Sequence, residues 1–245
     1  MIQLSDRLNK LASYVKKGDR VADIGTDHGY IPIYLKQMKI ADYIIATDMR
    51  EGPLGKMQGN LERFLKGNTT GIEMRKGDGL SVLSPYEVDS VIIAGMGGML
   101  MMEILSEEIG KVKTYKQLIL QPRNAQEKLR KWLIVNGFEV NDEVLVREGK
   151  FIWEILVASP VEYAIVPMTE EQYYDIGEHL IRKKDPLLRE FVQNKIRSEE
   201  NLLNQLALSE KQDASEKREE IRKKIAYLRR IFAHECENEG LDQSD

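Results

Sequence analysis

The chain has one cysteine, Cys236, and three histidines in 245 residues. A lone thiol closes no internal disulfide, and scattered histidines without cysteine partners offer no zinc-type ligand set. A disulfide framework and a cysteine–histidine metal centre are therefore excluded, no metal is expected, and a reducing cytoplasmic compartment is. Long apolar runs are missing as well. Nothing approaches the roughly 20 residues needed to span a bilayer, and Met1 to Val15 reads as an amphipathic helix, not as the apolar core of a secretory signal. Neither a membrane partner nor export is expected. A surplus of positive charge is also absent: 36 Lys and Arg against 40 Asp and Glu give a formal net charge of −4. Bulk charge does not draw this chain to nucleic acid, although a local basic patch is invisible to such a sum.

What is present is alternation. Leu4, Leu8, Leu11 and Val15 recur at helical spacing after Ser5, a capping residue. Short runs rich in Ile and Val follow at Val21 to Ile24, Tyr43 to Thr47, Ile72 to Arg75, Val88 to Ala94 and Leu118 to Leu120, separated by helical segments. Five strands alternating with helices predict a doubly wound parallel sheet. Pro32 and Pro53 fall in first helical turns, and Asn124 with Glu127 resembles a capping box. Phe138 to Val146 and Phe151 to Val157, joined by Arg147, Glu148, Gly149 and Lys150, then predict an antiparallel hairpin. A parallel sheet ending in such a hairpin is the seven-stranded plan of class I, Rossmann-like methyltransferases.

From about Pro160 the glycines thin out and charge rises. Residues 161–245 are expected to form a helical appendage to a catalytic domain of residues 1–160. Thr169 and Gln172 are its first capping pair, and Asp185 with Pro186 interrupts it. Leu187, Leu188, Phe191, Leu202, Leu203 and Leu206 carry an apolar stripe, Ser209 to Ser215 makes the bend, and Ile221, Ile225, Leu228, Ile231 and Phe232 return. Two such helices can pack as a short antiparallel coiled coil.

The candidate site lies where strands end. Val21 to Ile24 runs into a turn holding Asp23, Gly25, Asp27 and Gly29, and the next strand ends at Asp48. Glycine permits close backbone approach to a ligand, and an acidic residue ending the neighbouring strand accepts hydrogen bonds from ribose hydroxyls. A dinucleotide fingerprint needs a third glycine, and Asp27 would repel a pyrophosphate. The carboxylates of Asp23 and Asp27 favour instead a ligand carrying ammonium and sulfonium groups.

Taken together, Leu4-Ser5-Asp6-Arg7-Leu8, Asp23-Ile24-Gly25-Thr26-Asp27-His28-Gly29-Tyr30-Ile31-Pro32, Gly95-Met96-Gly97-Gly98, Gln121-Pro122-Arg123 and the helical extension resemble the TrmK family over nearly the whole chain. These are bacterial tRNA methyltransferases that modify N1 of the adenine at position 22. The resemblance implies S-adenosylmethionine as cofactor, tRNA as partner and a coiled coil that helps to hold it. It implies that Asp23, Gly25, Thr26, Asp27, His28, Gly29 and Tyr30 surround the methionine end of the cofactor. Asp48, Met49 and Arg50 would meet its ribose and adenine, and Gly77, Asp78 and Gly79 its adenine amino group. Ala94, Gly95 and Met96 would stand between cofactor and target base. Asp27, Gly95 and Met96 are the expected catalytic positions, Asp27 stabilising the charge that develops on the base. Arg7, Gln121, Pro122 and Arg123 are the expected substrate contacts.

A basic rim is expected from Arg7, Lys10, Lys16, Lys17, Arg50, Arg63, Lys128, Arg130 and Lys131, continued by Arg182 to Lys184, Arg222 to Lys224, Arg229 and Arg230. Each residue alone is equally explained by a solvated helix face. A monomer is expected, with the coiled coil as the alternative dimer surface. The rival readings are a methyltransferase acting on a small molecule or another RNA, and a non-catalytic scaffold.

Overall fold

The computed structural model describes residues 1–163, 174–207 and 213–236. Ser5 opens the first helix, α1 (Asp6–Ser13), its side chain accepting from the Leu8 N–H at 3.5 Å. Alternation follows as the sequence predicts: β1 (Val21–Ile24), α2 (Tyr30–Gln37), β2 (Ile44–Asp48), α3 (Glu51–Leu65), β3 (Ile72–Lys76), β4 (Ser90–Met96), α4 (Gly98–Glu107), α5 (Ile109–Val112), β5 (Gln117–Pro122) and α6 (Gln126–Val135). The hairpin strands β6 (Phe138–Glu148) and β7 (Phe151–Pro160) complete a seven-stranded sheet in the order β3-β2-β1-β4-β5-β7-β6. The pairings among β1 to β5 are parallel, whereas β7 runs antiparallel to both β5 and β6.

β1, β2 and β5 are buried at every residue, which is why their sequences are apolar-rich without polar alternation. Leu11 and Ala12 of α1 and Ile31 and Leu35 of α2 pack with Val21, Ile44, Ile92 and Ile119 in one cluster. Met57 and Leu61 of α3 join Ile33 and Ala46. Met101 and Leu105 of α4, Val112 of α5 and Leu129 and Leu133 of α6 instead join Ala22, Ile24, Val91 and Ile93. Alternate residues of β1 and β4 thus feed separate cores, α1 to α3 contributing to one side and α4 to α6 to the other.

Two local expectations are corrected. The hairpin turn is only Gly149 and Lys150, because Glu148 still pairs with Phe151. Asn124 does not cap its own helix: the N-cap of α6 is Ala125, with φ 53°, and the Asn124 Oδ1 accepts instead from the Gly98 N–H at 3.2 Å, at the start of α4. A tertiary partner has displaced the local capping box.

The chain divides into two compact units, Met1–Pro167 and Met168–Asp245. In the second, α7 (Glu178–Arg182) stops before Asp185, whose carboxylate accepts the Leu187 N–H at 3.0 Å, and α8 (Leu188–Ala207) and α9 (Asp213–Cys236) follow. Arg229 pairs with Glu200 and the Arg218 guanidinium reaches the Leu206 carbonyl, so α8 and α9 lie antiparallel. Leu188, Phe191, Val192, Ile221, Ile225, Leu228 and Ile231 are buried, while Leu202 is exposed and leaves the predicted stripe. Thr169 and Gln172 lie outside the described residues, as does most of the Ser209 to Ser215 bend.

Candidate functional site

A parallel sheet leaves its strand carboxyl ends free to hold a ligand where the strand order reverses, here between β1 and β4. A cleft of ≈690 Å³ occupies that position. It is lined by every residue expected around the cofactor: Asp23, Gly25, Thr26, Asp27, His28, Gly29, Tyr30, Asp48, Met49, Arg50, Gly77, Asp78, Gly79, Ala94, Gly95 and Met96. Arg7 and Arg123 line it too.

The acidic groups differ in state. Asp23 is 7% exposed, and burial pushes its carboxyl up to about 6 against the opposing effect of a hydrogen bond with Thr26. It stands ready to gain from a cation that replaces lost hydration. Asp48, also buried, accepts the Arg50 N–H at 2.8 Å through Oδ1, while its Oδ2 has no partner among the described residues. Beside it, Thr47 Oγ1 is buried without a partner. Asp78 is exposed, and its carboxylate accepts nothing among the described residues. Asp27, more than half exposed, lies 3.2 Å from His28 Nε2 and 3.5 Å from Lys56 Nζ. His28 in turn stacks on Tyr30 with ring centroids 5.1 Å apart.

Glycine matters at two places in this lining. Gly25 has φ +73°, and a Cβ there would come within 2.1 Å of Met96 Cε. Gly95 has φ +74° and nothing within 4 Å of its virtual Cβ, so the end of β4 is bare backbone facing open space. A carboxylate-rimmed cleft with a bare backbone floor suits a cationic ligand with ribose hydroxyls. It does not suit a pyrophosphate.

Gln121 and Pro122, expected at the substrate, lie outside this lining and are buried. The Gln121 Oε1 accepts from Arg7 Nη1 at 2.9 Å and from the Gly95 N–H at 3.2 Å, and its Nε2 donates to the Pro122 carbonyl at 3.1 Å. Its carbonyl oxygen and one of its two amide N–H donors are therefore engaged by protein groups. Arg130 leaves the expected basic rim: only 4% exposed, it is bound by Glu143 and Glu154. In the second unit Lys224 is likewise committed, to Asp175 and Glu199, each at 2.9 Å.

Two lining residues are absent from the sequence reading. Leu100, 46% exposed, and Ile104 sit one turn apart on α4 and line the cleft alongside Gly77, Asp78 and Gly79. With Met49, 58% exposed, they give the cleft apolar surface for a flat ring. Met99-Leu100-Met101-Met102 is a continuous apolar run with no period of its own, so the sequence does not mark which of its residues borders the cleft.

The sheet order, its one reversed strand β7 and the cleft at the strand ends define a Rossmann-like methyltransferase fold. The family profile described as tRNA (adenine(22)-N(1))-methyltransferase, TrmK, matches residues 21–230. The chain belongs to that family. Over 157 residues it is 37% identical to the tRNA (adenine(22)-N(1))-methyltransferase of Bacillus subtilis (strain 168), a match spanning 64% of this chain and 65% of that relative. The crystal structure of the B. subtilis M1A22 tRNA methyltransferase TrmK superimposes with TM-score 0.83 at 27% identity, covering 95% of this chain and 100% of that one. A Streptococcus pneumoniae relative solved in complex with S-adenosyl-L-methionine gives TM-score 0.79 at 31% identity, with 94% and 100% covered.

Proposed function

We propose that this protein transfers a methyl group from S-adenosyl-L-methionine to N1 of adenine 22 in tRNA. The observation that carries the reading is the pairing of two buried carboxylates, Asp23 and Asp48, at neighbouring strand ends beside the bare Gly95 backbone. Family membership and the relatives named above support it.

When bound, S-adenosylmethionine would supply an electrophilic methyl: the adenine ring nitrogen would bond to its carbon as the carbon–sulfur bond breaks and its electron pair stays on the departing sulfur. The chain's own residues hold and align. Asp23 meets the charged methionine end, and Asp48 Oδ2 accepts from the ribose diol. Asp78 accepts from the adenine amino group, with Met49 and Leu100 against the ring faces. The ring nitrogen carries its lone pair in the base plane and needs no general base to attack. Alignment is the main requirement, and the Gly95 backbone lets the extruded base and the donor approach closely. Asp27 at the rim stabilises the positive charge that the methylated base acquires. Arg7 and Arg123 take phosphates of the target strand.

In the second unit, α8 and α9 offer tRNA a short coiled coil of their own. The exposed Arg222 and Lys223 are better placed for phosphate there than the committed Lys224. The protein acts as a monomer in the cytoplasm; among the described residues no helix is long and apolar enough to cross a membrane. Incubation of the pure protein with total tRNA and labelled donor, followed by mass spectrometry of the nucleosides, tests the reading. N1-methyladenosine is the expected product. Label in another nucleoside, or in small molecules alone, overturns it.

A further inference from the structure

The terminal hairpin brings a carboxylate to the carboxyl edge of the sheet. Because β7 runs antiparallel to β5, pairing Leu120 with Leu156, the turn that joins β6 to β7 lies at the carboxyl edge of the parallel strands. Glu148, the last residue of β6, therefore ends at the same edge as Gln121. Its Oε2 accepts from Arg7 Nε at 2.9 Å, and Arg7 Nη1 donates to Gln121 Oε1 at 2.9 Å. Further along, Tyr14, the residue that ends α1, donates through its hydroxyl to Asp142 Oδ2 of β6 at 2.8 Å, so the helix bearing Arg7 is pinned to the strand bearing Glu148.

Two of the five guanidinium N–H groups of Arg7 are thus engaged, and its Nη2 end has no partner among the described residues. The side chain is 21% exposed and lines the cleft. A guanidinium fixed along Nε and Nη1 keeps its charge, cannot rotate, and offers its remaining fork to one phosphate in one orientation. Burial pushes the Glu148 carboxyl up, but hydrogen bonds with Ser5 and Arg7 bring it below its ordinary value, so it stays charged at neutral pH. A negative charge beside an arginine of a cleft that receives RNA works against encounter. Attraction does not explain Glu148, whereas orientation of Arg7 does.

We propose that Glu148 is a positioning residue for methyl transfer: through Arg7 it fixes the phosphate of the target nucleotide, so that the base enters the cleft at Gly95. The inference rests on the tRNA methyltransferase reading. Gln121 is the second arm of the same brace, since one oxygen receives both Arg7 and the Gly95 amide. The arginine that grips the substrate and the backbone that meets its base are thereby held to a common point.

The test is a double-mutant cycle on the full chain with tRNA as substrate. Glu148→Ala should lower kcat about tenfold to a hundredfold, as misplacement of a bound group does, while the KM for tRNA is unchanged or lower because a repelling charge has gone. Glu148→Gln keeps an acceptor for Arg7 Nε and should recover most of the loss. In an Arg7→Ala background the Glu148→Ala change should cost nothing further, because its effect has no other route. Calorimetric affinity for S-adenosylhomocysteine should stay within about twofold of wild type, a difference well under 1.4 kcal/mol. Wild-type kcat in Glu148→Ala, multiplicative losses in the double variant, or parallel falls in S-adenosylhomocysteine affinity and Tm would overturn the proposal. An inactive wild-type protein would instead strike at the underlying tRNA reading.

Discussion

The backbone N–H of Gly95 donates to Gln121 Oε1 at 3.2 Å, so a buried side chain at the end of β5 fixes the backbone at the mouth of β4. Replacing Gln121 by Leu keeps the volume and leaves two donors, Gly95 and Arg7, without their acceptor. Stability should fall by about 1–3 kcal/mol, as for unsatisfied buried donors. The kcat on tRNA should fall further than S-adenosylhomocysteine affinity does. Denaturant titration and steady-state kinetics check the two effects separately.

Asp23 links pH to both stability and ligand affinity, with opposite signs. Its folded pKa of about 6 lies above the ordinary 3.8, so its contribution to stability is fully present below about 3.8 and is lost as pH rises through 6. Asp23→Asn should therefore be more stable than wild type at pH 8, by at most about 3 kcal/mol, with the advantage gone at pH 4. A ligand whose cation prefers the ionised carboxylate should bind wild type more weakly as pH falls below 6, by up to about tenfold per unit. Calorimetry with S-adenosylmethionine across pH 5 to 8 reads this directly, and the Asn variant should show a flat, weaker profile.

Gly25→Ala places a methyl 2.1 Å from Met96 Cε in a backbone conformation, φ +73°, that side chains rarely adopt. The flexible Met96 side chain can move aside, but the backbone strain remains, at about 1–2 kcal/mol. Tm should drop, and cofactor affinity should fall at least tenfold as the turn shifts. Adding Met96→Ala relieves the contact without restoring affinity.

Arg130 tests the fold apart from the site. It is bound by Glu143 and Glu154, both almost fully buried. Arg130→Met removes the buried cation that both carboxylates share and should destabilise the protein by about 3–5 kcal/mol. Equilibrium unfolding measures the loss, and a cost below about 1 kcal/mol would mean that the triad holds nothing.

Much of this was legible in the residues, for identifiable reasons. Strand-end chemistry is local: Asp23 and Asp48 stand in the last two residues of β1 and β2, and Gly25 and Asp78 in the turns that follow β1 and β3, so their place at one sheet edge follows from the alternation. The side-chain direction of Gln121 is not local. A polar residue ending a strand reads equally as a substrate donor or as a buried brace, and only Arg7, 114 positions away in the chain, decides between them. Asn124 misleads for the same reason, its local capping pattern yielding to the distant Gly98 amide. Leu100 is unmarked because an unbroken apolar run, Met99 to Met102, carries no period that separates the buried Met101 from a residue bordering the cleft.

The most direct measurement uses two transcripts of one tRNA, identical except that the second carries guanine in place of adenine 22. With labelled S-adenosylmethionine, the first should take up one methyl per molecule, mapped to N1 of adenine 22, and the second should take up none. Equal labelling of both, or a methyl mapped to any other position, would contradict the account.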